Sequence, residues 1–503
     1  MSESCGNPSS QTDALMDRRP KFDRNKLCIK CKTNTGNVVI RHAVYCKECF
    51  PSMVVVKVKR SLDPYINATS DVPRRKALRA SGNLLIAFSG GLGSTVALDL
   101  ISKIYFPDAQ NKLNGEHPRG GKSHPRNKRV WDKGTACYVE ICNAFPGMED
   151  KTAEIRDVVE SYRYLEFTPL RLEDAFDKQW WKKVGGNPGR DIGIDLNNEE
   201  LLISELSSED SNPVQRLRSY ISALPTLTAV HSAIQNLIRL LLLHTARVSE
   251  SSHLLLGTNL TSLSISLISS ISQGGGFAVK EESFEEWSTG WTKDGASTPA
   301  VIRVNRPLQD VTLKECAVWV WWNNLRVVGR DRSLGGRQGI GALTRDFIVG
   351  LERDYPSTVS AIARTCSKLA PKFLADGTCA LCQRPLQRGI QEWKARISIR
   401  TIADDQEPSR NTSAETSLAP YLCYACHTTL TSRSSRSAPT STSTFPLPLW
   451  VHSHLRPGCD AQIDGNGRDE VGMNSLANDS EAWERRKVDR EGMKSAISDF
   501  LLE

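Results

Sequence analysis

Paired cysteines are the residues of this sequence whose types and spacing most clearly allow chemistry. Eight of its 14 cysteines form four Cys-x-x-Cys pairs, namely Cys28/Cys31, Cys46/Cys49, Cys379/Cys382 and Cys423/Cys426. Each pair can present two thiolates from one tight turn, and two such turns complete a tetrahedral four-thiolate site. Because no apolar signal-peptide core precedes them, we interpret the pairs as metal ligands of an intracellular protein rather than as disulfides.

The four pairs predict two zinc sites, one towards each end of the chain. Fourteen residues separate the first two pairs, as in a zinc ribbon, and 40 separate the last two, with residues 404–417 as a loop between them. A closed shell of four thiolates leaves no coordination position for substrate, so the predicted role is structural. Iron–sulfur clusters remain an alternative for either set. His427 is a poor ligand because it adjoins Cys426, and the two modules resemble each other only in ligand spacing.

Other cysteines and aromatic residues are interpreted as packing residues. Cys137 and Cys142 lie on or near a predicted strand and are assigned to the core, with a sulfur-carrying role as the alternative. Trp319, Trp321 and Trp322 follow a predicted helix start, where such a cluster is typical of core or interface packing. Base stacking is the alternative for the tryptophans.

A glycine-rich segment, residues 88–96 (FSGGLGSTV), has the composition of an anion-binding loop. It follows a predicted buried strand and precedes a predicted helix, so its backbone N–H groups and the helix N-terminus could meet a phosphate. It fits neither the Walker pattern nor the dinucleotide fingerprint. A tight turn without a ligand is the alternative. The candidate phosphate-binding residues are Ser89, Gly90, Gly91, Gly93, Ser94 and Thr95.

The elements around this loop alternate between strands and helices. Strands are predicted at 84–88, 136–142 and 254–256, and helices at 94–104 and 228–247, from continuous apolar runs and helical apolar spacing respectively. Thr312 to Glu315 has the pattern of a capping box that starts another helix. This alternation predicts an α/β fold with a doubly wound parallel sheet.

Positive charge is concentrated at the N-terminal end. Residues 1–80 hold 16 Lys and Arg against 7 Asp and Glu, a balance of +9 within a total of +8. A basic module on a near-neutral body favours a polyanionic partner, most simply nucleic acid, with a merely solvated basic face as the alternative. The candidate contacts are Lys30, Lys32, Arg74, Arg75, Lys76 and Arg79.

Residues 89–94 (SGGLGS) resemble the Ser-Gly-Gly-x-Asp-Ser PP-loop of the N-type ATP pyrophosphatases, which adenylate a substrate and release pyrophosphate. Gly93 stands where that family has an aspartate associated with the metal and pyrophosphate. At residues 260–262, LTS replaces the Ala-Asp-Asp of catalytic relatives, and residues 214–255 lack the cysteine that catalytic thiolases have in this region. The resemblance implies a degenerate PP-loop site with no catalytic residue assigned, and leaves binding of ATP and Mg²⁺ open.

The order of further segments narrows the resemblance. CIKC (28–31) and VYCKECF (44–50) precede the loop, and the following segments come after it: RPLQDVTLKE (306–315), LTRDFIVGLERDYPSTVSAIART (343–365), CALC (379–382) and CYAC (423–426). This order resembles the cytoplasmic tRNA 2-thiolation protein 2 family, over residues 26–110, 134–182, 214–370 and 376–428. The inserts between these ranges show no resemblance.

The family resemblance implies a specific pathway. Members form a heterodimer with a catalytic PP-loop thiolation subunit in the cytoplasm. The complex transfers sulfur from a thiocarboxylated ubiquitin-related modifier to the wobble uridine of the tRNAs for lysine, glutamate and glutamine, in forming 5-methoxycarbonylmethyl-2-thiouridine. Two alternatives remain open: an active ATP-dependent adenylating tRNA sulfurtransferase, and a zinc-ribbon adaptor acting mainly in protein conjugation of the modifier.

Together these features predict a PP-loop (adenine nucleotide alpha hydrolase-like) α/β chain with an N-terminal zinc ribbon and a C-terminal four-cysteine zinc module. No apolar run is long enough for a membrane span, so no membrane partner is expected. The predicted parts are a disordered lead (1–25), the ribbon (26–60), a basic connector (61–82), the PP-loop domain (83–330) with loop inserts 111–129 and 184–213, a helical segment (331–375), the four-cysteine module (376–428) and a largely disordered tail (429–503).

Overall fold

The computed structural model describes residues 26–41, 43–66, 82–106, 130–187, 189, 191–196, 201–206, 212–288, 301–329, 339–369, 375, 377–390, 417–432 and 445–455. The predicted lead 1–25 and insert 111–129 lie outside the described residues. So do four of the predicted nucleic-acid contacts, Arg74, Arg75, Lys76 and Arg79.

Strands and helices alternate through the described residues. The strands are β1 (Val38–Ile40), β2 (Ala43–Tyr45), β3 (Asn83–Ala87), β4 (Gly134–Glu140), β5 (Leu165–Arg171), β6 (Ile192–Ile194), β7 (Ile203–Glu205), β8 (Ser251–Leu256), β9 (Glu285–Trp287), β10 (Ile302–Asn305) and β11 (Phe445–Pro446). The helices are α1 (Cys49–Ile66), α2 (Leu92–Tyr105), α3 (Thr152–Glu160), α4 (Lys178–Lys183), α5 (Pro213–Ala223), α6 (Leu227–Val248), α7 (Leu260–Ser272), α8 (Leu313–Trp322), α9 (Ile340–Asp354), α10 (Pro356–Cys366), α11 (Tyr424–Thr431) and α12 (Trp450–Leu455).

The main sheet has the strand order β5–β4–β3–β8–β10–β9. The first five strands in this order are parallel, as predicted, but β9 runs antiparallel to β10, so the sheet is mixed rather than wholly parallel. An antiparallel edge strand is common on otherwise parallel sheets, because only one neighbour constrains its direction.

Apolar side chains of the sheet point alternately to two buried faces. On β3, Leu84 and Ile86 pack in one cluster with α1, α2, α3 and α8, whereas Leu85 packs in the other with α4, α5 and α6. Both faces are therefore covered, which explains why β3 is a continuous apolar run. This is the doubly wound arrangement expected from the sequence.

Two segments predicted to be irregular form a second sheet. β6 pairs antiparallel with β7 and with β11, where Phe445 lies opposite Ile194. The predicted loop insert 184–213 and the predicted largely disordered tail from 429 are therefore wrong in part. Phe445 and Trp450 are each 1% exposed. These strands have two or three residues and depend on distant partners, so local pattern could not reveal them.

The first cysteine module continues directly into a long helix. Phe50, Val54, Val58 and Leu62 form a buried stripe at four-residue spacing along α1, which therefore crosses the predicted boundary at residue 60. The helix docks against α8, whose predicted capping box is confirmed. No helix in the described part of the chain combines the length and apolar character that a bilayer crossing requires.

Candidate metal centres and phosphate loop

The four N-terminal cysteines converge on one point. Their Sγ atoms all lie within 4.8 Å of one another, and Cys31 Sγ is 3.8 Å from Cys46 Sγ. The Cys28–Cys31 turn is closed by the N–H of Lys32, which donates to the Cys28 carbonyl at 2.8 Å. Lys32 has a φ of 59°, a left-handed conformation that turns the chain back on itself.

The second pair of this group lies at the start of a helix. α1 begins at Cys49, and the Phe50 N–H donates to the Cys46 carbonyl at 3.1 Å. A helix N-terminus favours negative charge, but the hydrogen bond with Cys46 and burial raise the pKa of the Cys49 thiol to about 12. The pKa of the Cys31 thiol is lowered to about 6, because the side chain of Thr33 and the N–H of Asn34 donate to its sulfur.

The four C-terminal cysteines converge in the same way. Their Sγ atoms also lie within 4.8 Å of one another, with Cys382 Sγ 3.7 Å from Cys423 Sγ. The Gln383 N–H donates to the Cys379 carbonyl at 2.8 Å, and Gln383 has a φ of 53°. Cys423 is the N-cap of α11, and its N–H lies 3.3 Å from Cys379 Sγ.

The two groups share a local fold as well as ligand spacing. In each, a left-handed residue follows the first pair, at Lys32 and Gln383, and in each the second pair stands at a helix N-terminus. The expectation that the modules resemble each other only in spacing is therefore wrong. Neither Lys nor Gln is a residue type that indicates a positive φ, so the shared turn could not be predicted from residue type.

The sulfur positions fit a single tetrahedral ion. Four thiolates at about 2.3 Å from zinc are separated from one another by about 3.8 Å, and the closest sulfur pairs stand at 3.8 and 3.7 Å. A four-iron cluster needs wider separations because irons and sulfides lie between the cysteines. His427 is buried and its Nδ1 lies 3.3 Å from Thr431 Oγ1, so the ring turns along its own helix.

Charged side chains are buried beside the second group. Arg384 pairs with Glu282, and Arg239 pairs with Glu285, with 4–15% of each of these four side chains exposed. Arg306 is 6% exposed and donates from Nη2 to the Glu281 carbonyl at 3.4 Å. Sequence reasoning missed this network. Its only sequence signal was an arginine inside the apolar run 237–243.

The glycine loop lies where the strand order of the main sheet reverses. From β3 the chain moves to β4 and β5 on one side, and later to β8 on the other. Ligands of open α/β sheets bind at the carboxyl ends of strands at such a point. The six candidate phosphate-binding residues therefore lie where a nucleotide would be expected.

Within the loop, the hydroxyl groups bind one another and the backbone. Ser89 Oγ lies 3.2 Å from Ser94 Oγ, and both Ser94 and Thr95 donate to the Gly91 carbonyl, at 2.9 and 3.0 Å. Gly90 has a φ of 72°, and a Cβ there would lie 2.8 Å from the Val328 carbonyl oxygen. The segment after α8 therefore covers part of the loop.

The loops after β3 and β8 meet backbone to backbone. A Cβ at residue 93 would lie 2.2 Å from the Gly257 carbonyl oxygen, and a Cβ at residue 257 would lie 2.4 Å from Ser94 Cα. Only glycine fits at both positions. An aspartate could not occupy position 93 unless the loop after β8 moved.

The loop offers no ligand set for Mg²⁺. Neither residues 88–96 nor 256–262 contain a carboxylate. Glu140, at the carboxyl end of the neighbouring β4, is saturated by three backbone N–H groups and the Tyr138 hydroxyl. Thr261 binds Glu352 at 2.6 Å and accepts the Leu313 N–H at 3.0 Å, so it ties helices together. These residues do not fit an ATP–Mg²⁺ site.

The remaining candidate residues are either packing residues of the core or exposed residues of the surface. Burial raises the pKa of Cys137 and of Cys142, so neither thiol is activated. Trp319 is buried and donates to Asp99 at 2.8 Å, as core packing requires. Trp321, in contrast, is 73% exposed. Lys30 and Lys32 are exposed on the first cysteine turn.

Comparison with known proteins identifies relatives over most of the chain. A sequence profile of the cytoplasmic tRNA 2-thiolation protein 2 family matches residues 339–428. The protein of that name from Danio rerio is 24% identical over 479 residues, covering 82% of this chain and 89% of its own. The one from Homo sapiens is 25% identical over 394 residues, covering 72% and 70%.

A solved structure shows a more distant similarity. The U34-tRNA thiolase NcsA from Methanococcus maripaludis, determined with its [4Fe-4S] cluster, superposes with a TM-score of 0.42 and 16% identity. The superposition covers 68% of this chain and 88% of that structure.

Proposed function

Since the chain belongs to the cytoplasmic tRNA 2-thiolation protein 2 family, we propose that it is a non-catalytic subunit of a cytoplasmic complex that thiolates tRNA. The reaction is 2-thiolation of the wobble uridine of the tRNAs for lysine, glutamate and glutamine. A catalytic PP-loop subunit forms a heterodimer with this chain, and a thiocarboxylated ubiquitin-related modifier supplies the sulfur. The names of the relatives support the role in tRNA 2-thiolation.

One observation supports the non-catalytic role above the others. Gly93 and Gly257 are in backbone contact, so the position of the missing aspartate is physically closed as well as chemically altered. Adenylation with ATP needs metal-held phosphates, and the described loop has no carboxylate to hold the metal. The chain therefore supports catalysis by its partner.

The metal centres serve as structural elements in this proposal. Zinc bound by Cys28, Cys31, Cys46 and Cys49 would fix the basic N-terminal turn. Zinc bound by Cys379, Cys382, Cys423 and Cys426 would fix the C-terminal module against the core. Lys30 and Lys32 on the first turn then offer positive charge to tRNA phosphates, an interaction that weakens as salt rises.

The alternative of an independently active sulfurtransferase is favoured by one feature. Ser89 and Ser94 keep the hydroxyl groups of the PP-loop, 3.2 Å apart. These hydroxyls are engaged with each other and with Gly91, and they do not replace a metal-binding carboxylate. We therefore prefer the non-catalytic role.

The pathway is tested in cells that lack this gene. Wobble 2-thiouridine, measured by mass spectrometry of digested tRNA, is expected to disappear and to return when the wild-type chain is supplied. Cells lacking the catalytic subunit provide the reference for complete loss. Normal thiolation in the null cells would contradict the proposal, and normal thiolation with altered modifier conjugation would favour the adaptor role.

A further inference from the structure

Arg239 reaches the second cysteine group from within the apolar run 237–243 of α6. It lies on α6 between Ile238 and Leu240 and is largely buried, with its side chain 12% exposed. Its Nη1 donates to the Cys382 carbonyl at 2.7 Å. That carbonyl belongs to the turn from which Cys379 and Cys382 project, so the guanidinium contacts the backbone that orients two ligands.

The opposite edge of Arg239 is fixed by a carboxylate. Nε donates to Glu285 Oε2 at 2.9 Å, and Nη2 forms an ion pair with the same carboxylate. Glu285 lies on β9 and is 4% exposed. A guanidinium held along one edge by a buried carboxylate presents its remaining N–H groups in a fixed direction. The turn of the second cysteine group is thereby attached to the main sheet.

Charges of both signs are buried beside the second group. A divalent ion with four thiolates has a net charge of −2, which is costly in a buried site without nearby cations. Among the described residues, Arg239 contacts Cys382 and Arg384 lies close to it, and Arg306 is buried in the same region. Glu282 and Glu285 pair with the two arginines, and an oxygen of Glu281 is also buried in this region.

We propose that Arg239 is a positioning residue for the metal of the second cysteine group, acting through its hydrogen bond to the Cys382 carbonyl. The inference rests on metal binding at that group, as stated under the proposed function. The first cysteine group provides an internal comparison, because its ligand set and turn are alike but its flanking cations, Lys30 and Lys32, are exposed.

The test measures zinc affinity of both groups in the full-length chain. Zinc transfer to a chromophoric chelator is followed for the wild type and for Arg239→Gln, and a Cys28→Ser/Cys31→Ser chain identifies the signal of the second group. Removing a side chain that orients a ligand typically weakens metal affinity 10–100-fold. We expect that loss at the second group and an unchanged affinity at the first.

Arg303→Gln is the matched control. Arg303 lies on β10 and pairs with Glu286, the residue after Glu285, at a more exposed position. Arg303→Gln removes the same charge, but Arg303 contacts neither cysteine turn. We therefore expect the zinc affinity of each group to change by no more than about twofold. If Arg239→Gln does not fold, Arg239→Lys provides a second variant. It keeps the positive charge but loses the planar guanidinium with its two hydrogen-bonding edges, so it should weaken zinc affinity at the second group only.

Three results would overturn the inference. One is an unchanged zinc affinity at the second group of a folded Arg239→Gln chain. Another is an equal loss at both groups, which would indicate general destabilisation. The third is a wild-type chain that binds no metal at the second group, a result that leaves the thiolation role to be decided by the tRNA measurement.

Discussion

Gly93 combines two separate losses at a single residue. Its missing side chain removes a possible metal ligand, and its contact with Gly257 removes the space that a larger residue would occupy. The first loss could be compensated by a carboxylate from elsewhere, but the second requires the loop after β8 to move. Together they support the proposal that the retained serines of the loop no longer form an ATP site.

Gly93→Ala is expected to destabilise the chain by about 1–3 kcal/mol, because the added Cβ meets a backbone carbonyl and overpacks the contact. Gly350→Ala is the control: that glycine lies within α9 with no atom within 4 Å of an added Cβ. It should be neutral or stabilising by up to about 1 kcal/mol. Urea unfolding measures both. Equal stability of Gly93→Ala and wild type would show that the loops separate easily.

Residue type predicted the candidate metal ligands but not the shape of their turns. Cysteines at Cys-x-x-Cys spacing predicted both groups, and the structure brings all eight sulfurs together as two sets. The left-handed conformations of Lys32 and Gln383 and the partners of Arg239 were not predictable. A positive φ and a buried ion pair depend on neighbours that are distant in sequence.

At the scale of helices and strands, the length of an element and the regularity of its apolar pattern decide whether it could be predicted from the sequence. α6 was predicted at 228–247 and spans Leu227–Val248, because its buried residues repeat at helical spacing. β3 was predicted from a buried apolar run and is confirmed at Asn83–Ala87. β6, β7 and β11 were missed, since strands of two or three residues are stable only when paired with distant segments.

The segment 445–455 belongs to the core of the second cysteine module. The indole N–H of Trp450 donates to the Leu381 carbonyl at 3.1 Å, between two cysteine ligands in sequence. Gln383 Nε2 lies 3.2 Å from Nε2 of His454, which also belongs to residues 445–455. The end of the described chain therefore supports the Cys379–Cys382 turn directly.

Trp450→Ala is expected to cost about 3–5 kcal/mol of the free energy of unfolding, the range for truncating a fully buried tryptophan. Trp321→Ala is the matched control, since Trp321 is 73% exposed whereas Trp450 is 1% exposed. Trp321→Ala should change the free energy of unfolding by no more than about 0.5 kcal/mol. Chemical denaturation of the zinc-loaded chains compares them. A Trp450→Ala chain as stable as Trp321→Ala would show that residues 445–455 do not contribute to the core.

At the scale of the whole molecule, each cysteine module packs on a different buried cluster. The first reaches the cluster containing α2 and α8, where Phe50 contacts Trp322 edge to face at 5.1 Å. The second is part of the cluster containing α5 and α6. Metal at either group would therefore stabilise a different face of the same sheet, which suits a supporting subunit.

The closed phosphate loop lies between these two faces. A Cβ added at Gly90 would meet Ile155 and the Val328 carbonyl, and one added at Gly93 would meet the Gly257 carbonyl. Under the proposed function, this loop is no longer a working ATP site. Substitutions of its serine hydroxyls should then leave thiolation intact.

The most direct test is complementation of null cells with a Ser89→Ala/Ser94→Ala chain. A Ser222→Ala/Ser367→Ala chain serves as the control, because each of those exposed hydroxyls binds only its own helix. With equal protein accumulation, we expect both variants to restore wobble 2-thiouridine to the wild-type level. Rescue by wild type and control, but not by the loop variant, would contradict it.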